Sequence, residues 1–330
     1  MTVLVVASCY DLHVDAVVDR LPDKRIRIDP NESLDLCFDS ESAECFLNGS
    51  TVGVTDISGV LCRCPLELPP ANCSDDPVAN YRQSESLGAL RGILLAIPGD
   101  RWINFPWYEN AADGKIRPLM VAKQVGLSIP PFIVTNDLDQ LDLWLARFGD
   151  DLIIKPITDA SIARQEGRFV AVPDYKSFSA PYTARFDRNS LNPDNIDSTP
   201  FLVQKNIRKV VERRVVVVDD AIFVTETEAG CSAPLDIRLK KERREVIGSL
   251  SENDSRAVLV LRERLGLRFM TMDFAVDEHG VSWLLDVNPQ GNWLWQEQQL
   301  LLGIPAAIAS ALVCTNVDVG GAHCSNIHRN

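Results

Sequence analysis

Residues 269–289 read Phe269-Met270-Thr271-Met272-Asp273-Phe274-Ala275-Val276, then Asp277-Glu278-His279-Gly280, then Val281-Ser282-Trp283-Leu284-Leu285-Asp286-Val287-Asn288-Pro289. Two apolar runs flank a turn-forming tetrapeptide, the pattern of a β-hairpin. If the turn is residues 277–280, Val276 faces Val281, and counting outward puts Asp273 opposite Leu284 with Asp286 as its diagonal neighbour. Strand side chains alternate between faces, so Asp286 and Asn288 share one face and the register brings Asp273 to the same one. Three oxygen-bearing side chains then converge, the hard-ligand set that Mg²⁺ takes when it also holds phosphate. The competing reading is an acidic ribbon facing solvent. The apolar wall of Phe269, Trp283, Leu284, Leu285 and Val287 argues against it, as does the abrupt strand end at Asn288-Pro289.

Upstream of this hairpin, Ser251 with Asp254 forms a capping box ahead of Val258, Leu261 and Leu265, and Gly266 stops that helix. Phe201–Gln204, Arg213–Val218 and Ala221–Glu226 read as strands, the last two joined at Asp219-Asp220. Leu152–Ile154 reads as a buried strand ended by Lys155-Pro156. Asn136 or Asp137 caps a helix carrying Leu138, Leu141, Leu145 and Phe148. Pro118 opens another with Leu119, Ala122 and Val125, which leaves Lys115 just before a helix start. The polar stretch from Thr158 to Pro200 reads as a loop or lid with short strands only. Residues 1 to about 105 carry short apolar runs, a small α/β domain that closes with a helix from Ser84 to Ile97. Downstream, Trp293–Leu312 reads as largely helical, with Trp293 and Trp295 as packing residues, ahead of a tail from Asn316 that is expected to fray.

The chain has 330 residues, 46% hydrophobic and 24% charged, the make-up of a globular protein with two or three domains. Its formal net charge of -13 has the wrong sign for holding nucleic acid by phosphate neutralisation. Yet residues 201–270 carry fourteen Lys or Arg against eleven Asp or Glu, so basic charge gathers in one segment. The apolar stretches Leu300–Ile304 and Ala306–Cys314 fall short of the ~18 residues a membrane span needs. Thr2–Ala7 reads as a buried strand, not a secretory signal. Nine cysteines, an odd count with no Cys-x-x-Cys pair, suit a reduced cytoplasmic protein with free thiols. There is no G-x-x-x-x-G-K-[ST] loop, no G-x-G-x-x-G after the first strand, no H-E-x-x-H and no G-x-S-x-G.

Lys115, eleven residues before Gly126-Leu127 and followed by Ile129-Pro130, Leu152-Ile153-Ile154-Lys155-Pro156, Met272-Asp273-Phe274 and Leu285-Asp286-Val287-Asn288-Pro289 together resemble, in order and spacing, the ATP-grasp fold. That resemblance implies an α/β (α+β) architecture with an N-terminal pre-ATP-grasp domain over 1–108, a central subdomain with a phosphate lid over 109–205, and a C-terminal subdomain over 206–330. More narrowly, Trp102-Ile103-Asn104-Phe105-Pro106, Ile133-Val134-Thr135-Asn136-Asp137 and the run from Asn288 to Glu297 resemble the microviridin-type, or graspetide, peptide ligases. Gly59-Val60-Leu61-Cys62-Arg63-Cys64-Pro65 is a fainter match.

The resemblance implies that Lys115 and Lys155 hold ATP phosphates, which suits ammonium groups at a helix start and a strand end. It implies that Gln204, Lys205, Asn206 and Ile207 meet adenine through the backbone, that Glu212 meets the ribose, and that Asp273, Asp286 and Asn288 bind Mg²⁺. Asp236-Ile237-Arg238 is similar to the Asp-Trp-Arg motif of the peptide ligases, whose arginine reaches the reacting carboxylate or the transferred phosphoryl group. Departures from the family pattern are Asp286 for the usual glutamate, Ile237 for tryptophan, Lys205 for an acidic residue, and a lid with only Gly167. No histidine is assigned as a base.

The implied activity is an ATP- and Mg²⁺-dependent ligase that activates Glu or Asp side chains of a ribosomal precursor peptide as acylphosphates. A Thr or Ser hydroxyl or a Lys amine of the same peptide then closes an ester or amide cross-link. The partner is a precursor with a leader, whose site is expected near the 213–226 hairpin; no nucleic acid or membrane is expected, and a homodimer is left open. Two other readings stand beside it: an amino-acid or glutamate ligase acting on a small molecule or protein tail, and a non-catalytic ATP-grasp scaffold.

Overall fold

The computed structural model describes residues 2–21, 24–30, 32–64, 76–155, 157, 162–165, 168–171, 184–186, 188, 200–229 and 244–313. The chain divides into two compact units, one of residues 107–302 and one that joins residues up to 106 to those from 303 onward.

In the first unit a four-stranded parallel sheet runs in the order Arg25–Ile28, Thr2–Val6, Ile57–Cys62, Trp102–Ile103. Val3, Leu4, Val5 and Val6 have no exposed surface, as expected of a parallel strand covered on both faces. A three-stranded antiparallel meander, Leu36–Asp39, Glu44–Leu47 and Ser50–Gly53, follows the second strand of the chain. The helix Pro77–Leu95 starts a full two turns before the apolar spacing from Leu87 onward suggests. Asp76 caps it by accepting from Val78 N, and Pro77 sits at its first position, so capping extends the helix through residues that bury nothing.

The expected helix from Trp293 to Leu312 is two helices, Leu294–Leu300 and Ile304–Val313. Leu301, at φ 51°, and Gly303, at φ 87°, both leave the right-handed helical region and break it. Ile304–Val313 packs in the first unit, where an added Cβ at Gly59 would lie 2.3 Å from the Leu312 carbonyl oxygen. Glycine in the sheet is what admits the helix backbone.

The second unit holds two antiparallel sheets. One has the order Ala184–Arg185, Leu152–Lys155, Phe201–Lys205, Phe132–Thr135. Leu152 and Val203 point from it toward Leu141 on the helix Leu138–Phe148, which Asp137 caps. The other has the order Val246–Ile247, Ala221–Glu228, Lys209–Val218, Phe269–Asp277, Ser282–Asn288. Val215, Val217, Met270, Met272, Phe274, Leu284 and Val287 make one face of it wholly apolar, packed against Leu119 and Ala122 and against Val258, Leu261 and Leu265. Those last three line one side of the helix Glu252–Leu265, which Ser251 caps and Gly266 ends at φ 74°. With one face committed to the core, alternation turns residues 212, 214, 271, 273, 286 and 288 to the other.

Of the lid, Ile162–Gln165 pairs with Arg168–Ala171 as an antiparallel hairpin. Gly167 and most of 158–199 lie outside the described residues, as do Asp236, Ile237, Arg238 and the tail. Among the described residues no helix is long and apolar enough to cross a membrane, and Cys9, Cys37, Cys45, Cys62 and Cys64 form no disulfide.

Candidate active site

The site is built on the hairpin that opened the sequence reading, with a different register. Asp273 stands directly opposite Asp286, not opposite Leu284. Two one-residue offsets produce the change. Asp277 N bonds to Val281 O, so Val276 pairs with Ser282, and a β-bulge then leaves Leu285 as the extra residue between the Phe274–Leu284 and Asp273–Asp286 pairs. An offset of one would have sent Asp286 to the core face; two restore its parity and bring it closer to Asp273 than the diagonal position. Asp277 holds the turn, accepting from His279 N and Val281 N at 2.9 Å each and from Trp283 Nε1 at 2.8 Å.

Both lysines reach this acidic pair. Lys115, the residue before the helix Ile116–Gln124, places Nζ 3.2 Å from Asp286 Oδ2. Lys155, at the end of Leu152–Lys155, lies with Nζ 3.5 Å from the carbonyl oxygen of Leu285, the residue the bulge sets apart. Withdrawal of the Lys155 ammonium from water pulls its pKa from 10.5 down to about 8. Asp286 and Asp273 oppose that fall, while Lys115 and Lys209 add to it.

Lys155 pairs across the sheet with Leu202, so Lys155, Leu202 and Gln204 share one face. Gln204 is 1% exposed, and neither its Oε1 nor its Nε2 has a partner in the protein. The neighbouring Lys205 points to the opposite face, where its Nζ bonds the carbonyl oxygen of Phe148 at 3.0 Å and closes the end of Leu138–Phe148. Asn206 spends its side chain on Asp151 at 2.9 Å, and that amide, with Arg208 and Arg185, holds the Asp151 carboxyl below its ordinary pKa. The segment from Lys205 to Ile207 therefore offers a ligand its backbone, while Gln204 offers a side chain.

Glu212 lies on the polar face of the larger sheet, two residues from Arg214, in an ion pair with Lys209. Asn288 faces Thr271 at the strand end, and its Oδ1 accepts from Gln290 N at 2.8 Å. Lys115, Lys155, Asp273 and Asp286 thus come together; Gln204, Glu212 and Asn288 flank them on the same two sheet faces; the Lys205 and Asn206 side chains turn away. Asp236 and Arg238 lie outside the described residues.

Arg214 is the site residue that sequence reasoning missed. It sits opposite Asp273 on the adjoining strand, and its Nη1 bonds Asp273 Oδ1 at 2.7 Å. The signal was present as Glu212 and Arg214, two charges two apart in a run otherwise of valine, the spacing that puts both on one strand face.

No family model matches the chain, and no curated protein does either. Solved structures do match it in fold. The macrocyclase MdnC of Microcystis aeruginosa MRC, bound with the precursor peptide MdnA, is 21% identical at a TM-score of 0.75, over 95% of this chain and 99% of that one. The macrocyclase MdnB of the same organism is 24% identical at 0.73, over 94% and 99%. A RiPP-associated ATP-grasp ligase of Chryseobacterium gregarium, in complex with ADP and a leader and core peptide, is 19% identical at 0.77, over 94% and 96%. With its two sheets, paired lysines and opposed aspartates arranged as described, this chain has the ATP-grasp fold.

Proposed function

We propose that this protein is an ATP- and Mg²⁺-dependent carboxylate ligase that acts on a precursor peptide. The observation that carries the reading is the meeting of Lys115 and Lys155, from separate elements, with the directly opposed Asp273 and Asp286. A fold gains little by withdrawing an ammonium from water, so the depressed pKa of Lys155 speaks for an anion that restores its charge. The buried, unpartnered amide of Gln204 on the same face as Lys155 calls for a polar ligand that both donates and accepts, as an adenine edge does. Two carboxylates and the Asn288 amide form a hard oxygen set suited to Mg²⁺.

On this reading Lys115 and Lys155 would hold the phosphates, Asp273, Asp286 and Asn288 the metal, the backbone of Lys205 to Ile207 with Gln204 the adenine, and Glu212 the ribose. Asp236 and Arg238 would serve the reacting carboxylate, as the family resemblance implies. ATP supplies the phosphoryl group that turns a carboxylate into an acylphosphate, open to attack by a hydroxyl or an amine. The protein's part is positioning and charge neutralisation.

The fold neighbours bound to precursor or to leader and core peptides favour a peptide as the substrate. The bond we propose is an ester or amide between two side chains of one peptide. Incubating the protein and MgATP with a small precursor encoded beside its gene should remove one water per cross-link, seen by mass spectrometry, and Asp286→Ala should abolish it. An unchanged peptide mass together with ATP turnover on free amino acids would instead establish the amino-acid ligase reading. Absence of nucleotide binding would leave the non-catalytic reading.

A further inference from the structure

The polar row across the larger sheet begins at Thr225, which stands opposite Arg214; Arg214 stands opposite Asp273, and Asp273 opposite Asp286. Arg214 is mostly buried and held on several sides. Its Nη1 bonds Asp273, its Nη2 donates to the Asn292 carbonyl oxygen at 2.9 Å, and its guanidinium carbon lies 5.6 Å from the centre of the Trp295 ring. Gly291 makes room for it, because an added Cβ there would lie 2.8 Å from Nη2 and 1.7 Å from Thr271 Oγ1. Around this guanidinium two buried N–H groups, Arg214 Nε and Trp295 Nε1, have no protein acceptor. A buried donor left unmade costs about 1–3 kcal/mol. Two of them beside a fixed cation, adjoining the aspartate pair, make a place for an anion with two oxygens.

We propose that Arg214 and the Trp295 indole N–H bind the substrate carboxylate that is to be activated. This rests on the ATP-dependent ligase reading and names the group recognised: a free side-chain carboxylate, with its amide excluded. A guanidinium presents Nε and Nη as a planar fork that matches a carboxylate, and here Nη1 already engages one, that of Asp273. A cation taken up by Asp273 and Asp286 competes with Arg214 for Asp273. Metal loading therefore frees Nη1 for the incoming carboxylate, and the site forms fully once nucleotide and metal are in place.

The test uses the full chain with its tryptophan indoles ¹⁵N-labelled, titrated first with MgADP and then with Nα-acetyl-glutamic acid α-amide. The Trp295 indole signal is identified as the one missing in Trp295→Phe. The expected result is a saturable shift of that signal with the acid, no shift with Nα-acetyl-glutamine α-amide, loss of the shift in Arg214→Gln, and a weakened one in Arg214→Lys. A Trp295 signal that the acid does not move, that the glutamine analogue moves equally, or that still moves in Arg214→Gln overturns the proposal. The comparison of acid with amide needs no variant, so a misfolded Arg214→Gln leaves the test intact. If MgADP shifts nothing while the acid still shifts Trp295, the carboxylate site stands and the nucleotide reading falls.

Discussion

Raising the pH should strip this protein of nucleotide affinity through Lys155. Its ammonium titrates at about 8 in the free protein, against 10.5 for an ordinary lysine, chiefly because it is withdrawn from water. A bound phosphate that returns the pKa to its ordinary value gains the whole difference, about 3.4 kcal/mol at about 1.36 kcal/mol per pH unit, or about 300-fold in affinity. Affinity for ADP should be flat below pH 8 and fall about tenfold per pH unit above it. Binding at pH 9 should take up about 0.9 proton, against about 0.1 at pH 7. The nucleotide phosphates are fully ionised throughout this window and contribute nothing to the uptake. Calorimetry in two buffers of different ionisation enthalpy, at pH 7 and 9, counts the protons, and Lys155→Arg, charged at every pH, should erase the dependence. Equal affinity at the two pH values without proton uptake, or the same uptake in Lys155→Arg, would refute the role given to Lys155. The sign for stability follows from the same depressed pKa. The unfolded chain holds this proton more tightly, so the ligand-free fold gains stability from this group as pH climbs from about 8 to 10.5, and Lys155→Met should stabilise it at pH 7 by up to about 3 kcal/mol.

Gln204→Leu removes a buried amide that has no protein partner, so the ligand-free protein should keep or gain about 1 kcal/mol in denaturant unfolding while nucleotide binding weakens at least about tenfold. Gly291→Ala drives a methyl into Thr271 and Arg214; the Mg²⁺ dependence of ATP turnover should move to higher metal concentration as Asp273 loses its orientation. Gly59→Ala pushes against the Leu312 backbone and should destabilise the first unit by about 2–4 kcal/mol, read as lost hydrogen-exchange protection in Ile57–Cys62 and Ile304–Val313. Asp286→Asn keeps the shape but removes the charge that faces Lys115, and ATP turnover should fall by about a thousandfold or more, followed as phosphate release.

Much of the candidate site was legible because local pattern encodes it. Lys155 ends a short apolar strand, Lys115 precedes a helix, and the alternation in 269–289 puts Asp273 and Asp286 on one face, all consequences of backbone periodicity over a few residues. Arg214 was missed because it looks like one more charge beside Arg213, and those two neighbours have opposite fates. Arg213 turns to Glu226 at 2.6 Å, and Arg214 to Asp273. Lys205 and Gln204 exchange significance in the same way: the charged residue closes a helix end and the neutral one is buried without a partner.

The sequence by itself determined the elements, their faces and the residue types available to an anion and a metal, since each depends on the 2- and 3.6-residue periods and on caps. Tertiary structure decided what meets what. The bulge at Leu285 and the longer turn at Asp277 fixed the pairing of Asp273 with Asp286, because register is chosen by the whole buried face of the sheet and not by counting from a turn. Gly59 let the helix Ile304–Val313, distant in sequence, complete the first unit. The low pKa of Lys155 arises from burial and from charges on four other residues, and exists only once the chain has brought them together.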